Sequence, residues 1–282
     1  MKFLVLLFLL LPVDLLAAKL VVEPHVVKAG EVAWVRWEGP ELTNAAIRFD
    51  KALVPLTRHG ERWEALFGID VDTGPGTYPL YVYASTPTGH SYSLRIDLTV
   101  QGVKRPVEHL TLPPSMVTPK APETLERISR EYTLLKEIWK VWSGPLRAER
   151  FKRPVSQEVS SIFGKRRILN GIKKSRHSGT DFRSPAGTEV LSPAQGSVVL
   201  VADLFYTGNT VIVDHGGGLY SLMAHMRETT VKVGDQVSQG ATLGRVGSTG
   251  RSTGPHLHWT VKLNGVRVDP FAVVSAFAAK TP

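Results

Sequence analysis

Near the C-terminus the chain reads GSTGRSTGPHLHWTV, Gly247 to Val261, with His256 and His258 one residue apart behind a run of Gly, Ser, Thr and Pro. Side chains alternate along an extended strand, so both imidazoles turn to one side and Leu257 turns to the core. Upstream, SRHSGTDFRSP sets His177 and Asp181 four residues apart, where Gly179 and the extended DFRSP favour a loop entering a strand. Together with His258 these supply two imidazoles and one carboxylate, a recurrent catalytic zinc set that leaves the fourth tetrahedral position for water. The chain has no cysteine. Any metal is therefore bound through nitrogen and oxygen, which agrees with an open catalytic site rather than a closed structural one.

If His177, Asp181 and His258 are the ligands, His256 is left beside the metal, and so is His225 in LYSLMAHMRE. Zinc brings the pKa of a bound water toward about 7, so one neighbouring imidazole can accept its proton. The other can stabilise the tetrahedral oxyanion or protonate the leaving amine.

Taken jointly, HSGTD, AHM and GSTGRSTGPHLHW resemble the signature motifs of the lysostaphin/LytM-type zinc metallopeptidases, over roughly the last 130 residues. The resemblance implies a gapped antiparallel β-sandwich, barrel-like and of the duplicated hybrid motif type. It implies one zinc per chain on His177, Asp181 and His258, with His225 and His256 as the catalytic pair. It also implies hydrolysis of peptide bonds in bacterial peptidoglycan. Asn209 resembles a family position near the substrate cleft, although an asparagine after Gly208 equally suits a turn. His215 in VDHGGG reads as a turn residue. The run KRRILNGIKKSR packs six cations before His177. It forms either a solvated face or a holder of stem-peptide carboxylates, with Arg176 at its end as a second candidate substrate contact. A non-hydrolytic member of the same fold, binding wall or activating an amidase, is the alternative. The complete ligand and catalytic set argues for the enzyme.

The elements that must position these residues divide the 282-residue chain into four parts. Residues 1–18, with one lysine, an apolar run and small residues at Ala17 and Ala18, read as an export signal. Residues 19–101 read as an all-β sandwich resembling Ig-like accessory domains, with strands in EVAWVRWEG, AAIRFD, YPLYVYAS and YSLRIDLTV. Its Trp and Tyr residues read as core or cross-strand pairs. Residues 102–150 read as a proline-rich connector, unsuited to ladder hydrogen bonds, followed by one amphipathic helix. Leu125, Ile128, Tyr132, Leu135, Trp139 and Trp142 form the seam of that helix, which is expected to pack on its own chain. Residues 151–282 read as a glycine-punctuated antiparallel peptidase domain, so the whole is mainly β. The net charge of +9 on an exported chain points to wall polymers and membrane headgroups rather than nucleic acid, in the periplasm or cell envelope. The upstream region is expected either to occlude the groove or to dock the enzyme, on peptidoglycan or on a cell-envelope protein partner.

Overall fold

A computed structural model describes residues 18–50 and 52–280. The export signal expected over residues 1–18 lies, apart from Ala18, outside the described residues. No described helix is long and apolar enough to cross a membrane. The chain is mainly β, as its turn-punctuated alternation predicts.

Two sheets build the N-terminal part. One has four strands, with Val32–Glu38 between Lys19–Glu23 and Arg62–Gly68 and with Thr57–His59 at the edge. The other has five, in the order Val26–Lys28, Ser91–Gln101, Gly76–Ser85, Asn44–Phe49 and Ala52–Pro55. Val35 and Phe67 from the first sheet meet Ile47, Leu80, Val82 and Leu98 from the second in one buried cluster. This is the inward half of the period-2 alternation. Of the aromatics, Trp37 is buried and meets Tyr92 edge-on. Tyr81 and Tyr83 stack on each other, with Arg48 over both rings.

The connector departs from expectation. Val107–Leu110 is a strand that pairs in parallel with Arg166–Leu169, which pairs antiparallel with Lys173–Arg176. Pro106, Pro113 and Pro114 flank this strand rather than interrupt it, so every residue that must offer an N–H to the ladder has one. Leu112 and Val117 then bury against Leu169. The helix spans Pro122–Ile138 and begins on proline, as read. Its seam is only half used. Leu135, Ile138 and Trp139 pack against Leu200, Leu204, Ile212, Tyr220 and Leu222, whereas Leu125 and Tyr132 are exposed. Polar contacts hold its middle instead: Arg127 Nη2 donates to the Asp203 carbonyl at 2.8 Å, and Glu131 Oε2 accepts the Phe205 N–H at 2.8 Å.

The C-terminal part is one ten-stranded antiparallel sheet system. Its central strand Leu219–Thr229 pairs with Leu257–Leu263 on one side and Gly208–Asp214 on the other. Phe182, Leu257, Trp259 and Val261 fill its core. A helix at Pro270–Lys280, not among the elements read from the sequence, buries Val273 and Phe277 in the same cluster. Trp34 and Leu66 of the N-terminal sheet join that cluster, and Trp34 Nε1 donates to the Ala276 carbonyl at 3.1 Å.

Candidate active site

The strands Thr180–Phe182 and Leu257–Leu263 run antiparallel with Asp181 directly opposite His258. That register brings a carboxylate and an imidazole 77 positions apart in the chain within 2.7 Å, Oδ1 to Nδ1. His177 sits in the loop before Thr180–Phe182, and its Nε2 lies 2.9 Å from Asp181 Oδ1 and 3.1 Å from His258 Nδ1. All three residues are buried. Three separately read positions thus offer one atom each to a single point.

Each ring has a hydrogen-bond partner on its far side. His177 Nδ1 lies 2.9 Å from the Ile162 carbonyl, which can only accept, so the proton sits on Nδ1 and Nε2 presents its lone pair. His258 Nε2 lies 2.8 Å from Thr260 Oγ1; in the tautomer in which Nε2 donates to that hydroxyl, Nδ1 is a lone pair too. In that tautomer two lone pairs and a carboxylate oxygen form a donor set for a cation. Tetrahedral zinc with arms of about 2.0–2.1 Å sets its ligand atoms about 3.3 Å apart, close to the separations here. The residues present fit the ion.

Charge supports the set. Burial alone pushes the Asp181 carboxyl up, but the His177 and His258 imidazoles against it hold it well below the usual carboxylate range. Burial, partly countered by Asp181, lowers the His258 imidazole. Asp181 Oδ2 accepts a hydrogen bond at 2.7 Å from Arg167 Nη2. Arg167 Nε in turn donates to Glu108 Oε2 at 3.0 Å, so the connector strand reaches a candidate ligand through one guanidinium.

The two further histidines come to the same cleft. Their rings are 4.6 Å apart, and that of His225 is 5.9 Å from that of His258. His225 occupies a bulge in the central strand with φ +61°, a left-handed conformation uncommon outside glycine, and the bulge re-aims its side chain. Its Nδ1 donates to the Thr249 carbonyl at 2.8 Å, and His256 Nδ1 donates to the Gly254 carbonyl at 2.8 Å. Each Nε2 is therefore a free lone pair, that of His256 lying 3.9 Å from Asp181 Oδ1. Burial, reinforced by His258 and His256, pushes the His225 imidazole down to about 3, so it is neutral at pH 7.

The cleft holds about 410 Å³. Arg176 lines it and is ion-paired with Asp72 of the N-terminal part. Asn209 is not among the residues lining it; it lies in the strand Gly208–Asp214, and its amide donates to the Arg227 carbonyl at 3.2 Å. His215 begins the turn that joins Gly208–Asp214 to Leu219–Thr229, its N–H donating to the Leu219 carbonyl at 2.9 Å, and it is fully buried. It is held by the Gln195 carbonyl at 2.8 Å and Ser221 Oγ at 3.0 Å. Arg167, Glu108 and Thr249 were not singled out from the sequence. Arg167 lay inside the basic run, where nothing marks one cation as internal.

A cleft in an antiparallel sheet with a His–Asp–His donor set and two unprotonated imidazole nitrogens defines a metallohydrolase type of site. Comparison with known proteins gives the family. The description of peptidase family M23 matches residues 175–270. A crystal structure assigned to peptidase M23 from Pseudomonas aeruginosa is 36% identical, with a TM-score of 0.69 over 88% of this chain and 95% of that one. The chain belongs to peptidase family M23 and is of the LytM type. Peptidoglycan DD-endopeptidase ShyA of Vibrio cholerae is 37% identical over 125 residues, 44% of this chain and 29% of ShyA. Cell division protein DipM of Caulobacter vibrioides is 31% identical over 219 residues, 72% of this chain and 35% of DipM. The chain spans about a third of the length of these curated relatives.

Proposed function

We propose that this chain is a zinc metalloendopeptidase of the cell envelope that hydrolyses cross-links or stem peptides of bacterial peptidoglycan, its upstream sandwich being an Ig-like accessory unit. The observation that carries the reading is the convergence of His177 Nε2, Asp181 Oδ1 and His258 Nδ1 with two more imidazoles in one cleft. The names of ShyA and similar relatives support the substrate class. His177, Asp181 and His258 would hold the ion, whose chemistry is Lewis-acid activation of water and of the peptide carbonyl.

The remaining work falls to two imidazoles. Neutral His225 accepts a hydrogen bond from the attacking water at Nε2 and so orients it, its ring fixed by Thr249. His256 takes the proton at Nε2, because the more open ring is the cheaper one to charge and Asp181 lies beside it. The same proton then passes from His256 to the leaving amine. Incubating the zinc-loaded protein with walls of several cross-link types, with and without chelator, tests this, the released fragments being identified by mass. Peptide-bond products that vanish with chelator are expected, and their absence from every wall type would remove the proposed activity.

A further inference from the structure

Most cations around the cleft are already neutralised from within. Lys165 and Arg167 share Glu108, Arg167 also binds Asp181, and Arg176 binds Asp72. Arg251 differs. Its backbone N–H donates to the Tyr206 carbonyl at 2.9 Å, its guanidinium lies 4.3 Å above the Tyr206 ring, and Nη1 reaches the Met116 carbonyl at 3.4 Å. No carboxylate pairs with it among the described residues, although it is half-buried in the cleft wall. Arg183, two residues after Asp181 in the same cleft, has no ion pair among the described residues either.

Partial burial of a guanidinium without a counter-ion costs free energy. Stacking on Tyr206 offsets part of this. A planar fork with unused donors, lining the cleft that holds the candidate catalytic groups, is suited to bidentate capture of a carboxylate. We propose that Arg251, assisted by Arg183, forms a carboxylate-binding subsite that selects peptides carrying a free carboxylate close to the bond to be cut. The subsite rests on the peptidase reading and narrows it: acidic stem peptides are taken in preference to neutral bridges.

Binding tests it without turnover. The probe is a fluorescein-labelled tetrapeptide with one carboxylate side chain and a C-terminal D-alanine, resembling a product of the proposed cut. It is compared with three partners, amidated at the side chain, at the C-terminus or at both, against the zinc-loaded full chain. Amidation at both positions should weaken binding about tenfold, and the two single amidations identify which carboxylate is read. Added salt should weaken only the forms that keep that carboxylate. Arg251→Gln, with zinc content unchanged, should bind all four forms within twofold of one another, and Arg183→Gln should lose part of the discrimination. Equal binding of all four peptides by the wild-type chain, no binding of any, or full discrimination retained in Arg251→Gln would overturn the subsite. Loss of wall hydrolysis, measured separately, bears on the peptidase reading instead.

Discussion

At the scale of single residues, Arg167 ties the site together. Its guanidinium is the partner of the Asp181 oxygen that does not face the histidines. Without it Asp181 loses its orientation and the Oδ2 charge is left buried. Arg167→Met should therefore weaken zinc retention about 10–100-fold in a chelator competition, and Asp181→Ala should abolish it. Zinc affinity unchanged in Arg167→Met would dismiss the positioning role. His225→Ala and His256→Ala should keep zinc but lose two or more orders of magnitude in turnover. Near-normal turnover in either would dismiss its catalytic role. His215 offers a different test. Burial first, only partly opposed by the Gln195 carbonyl and Asp214, lowers its imidazole from 6.5 to about 4. Between those values the unfolded chain binds the proton and the folded chain does not, so stability is fully present above pH 6.5 and falls as the pH drops toward 4. In zinc-stripped protein, His215→Gln should lose about 2 kcal/mol less than wild type between pH 6.5 and 5, measured by urea unfolding. Parallel pH curves would show that His215 is not the sensor.

At the scale of elements, a bulge and a loop contact place His225, the imidazole proposed to orient the water. The N–H of His225 donates to the Thr207 carbonyl and its ring donates to the Thr249 carbonyl. Those two loops touch backbone to backbone at Gly208, φ +59°, where an added Cβ would lie 2.2 Å from Thr249 Oγ1. Gly208→Ala should cost about 1–3 kcal/mol in stability through left-handed backbone and overpacking. It should also lower turnover at least tenfold by shifting the Thr249 acceptor, with zinc retained because Thr249 bonds none of the three candidate ligands. Full activity in a folded Gly208→Ala protein would show that this contact does not aim His225. None of this was legible in the sequence, because a bulge is set by pairing register and AHM reads like any other strand. The His–x–His pair was legible, since period-2 alternation is local. So were the strand-rich division of the chain and the proline start of the long helix. Helix docking was read only by half: hydrophobic spacing marks Leu125 and Leu135 alike, and only the sheet beneath decides which of them is covered.

At the scale of the whole molecule, the upstream region behaves as part of the catalytic body. Val107–Leu110 extends the sheet that carries Arg167, and Glu108 faces Lys165 and Arg167 rather than the His–Asp–His cluster. Leu110 and Leu112 line the cleft wall. Val32, Trp34 and Leu66 share a core with Val268, Val273 and Phe277. A plug would place a donor of its own among the candidate ligands, and a detachable docking module would share no core. Cutting the chain before Phe151 should therefore harm the enzyme rather than release it. Burying one large apolar side chain is worth about 1.5–3 kcal/mol, and a typical domain has only about 5–15 kcal/mol in total. Removing three such side chains from one cluster, along with the Glu108 strand, takes away a large share of that margin. In calorimetry residues 19–282 should melt in one cooperative transition, and residues 151–282 alone should melt at least about 10 °C lower. They should also lose zinc more readily and cut soluble peptides more slowly. Two separate transitions in the full chain, or a truncated form that is as stable and faster, would show that residues 19–150 are a separable unit that restrains the site.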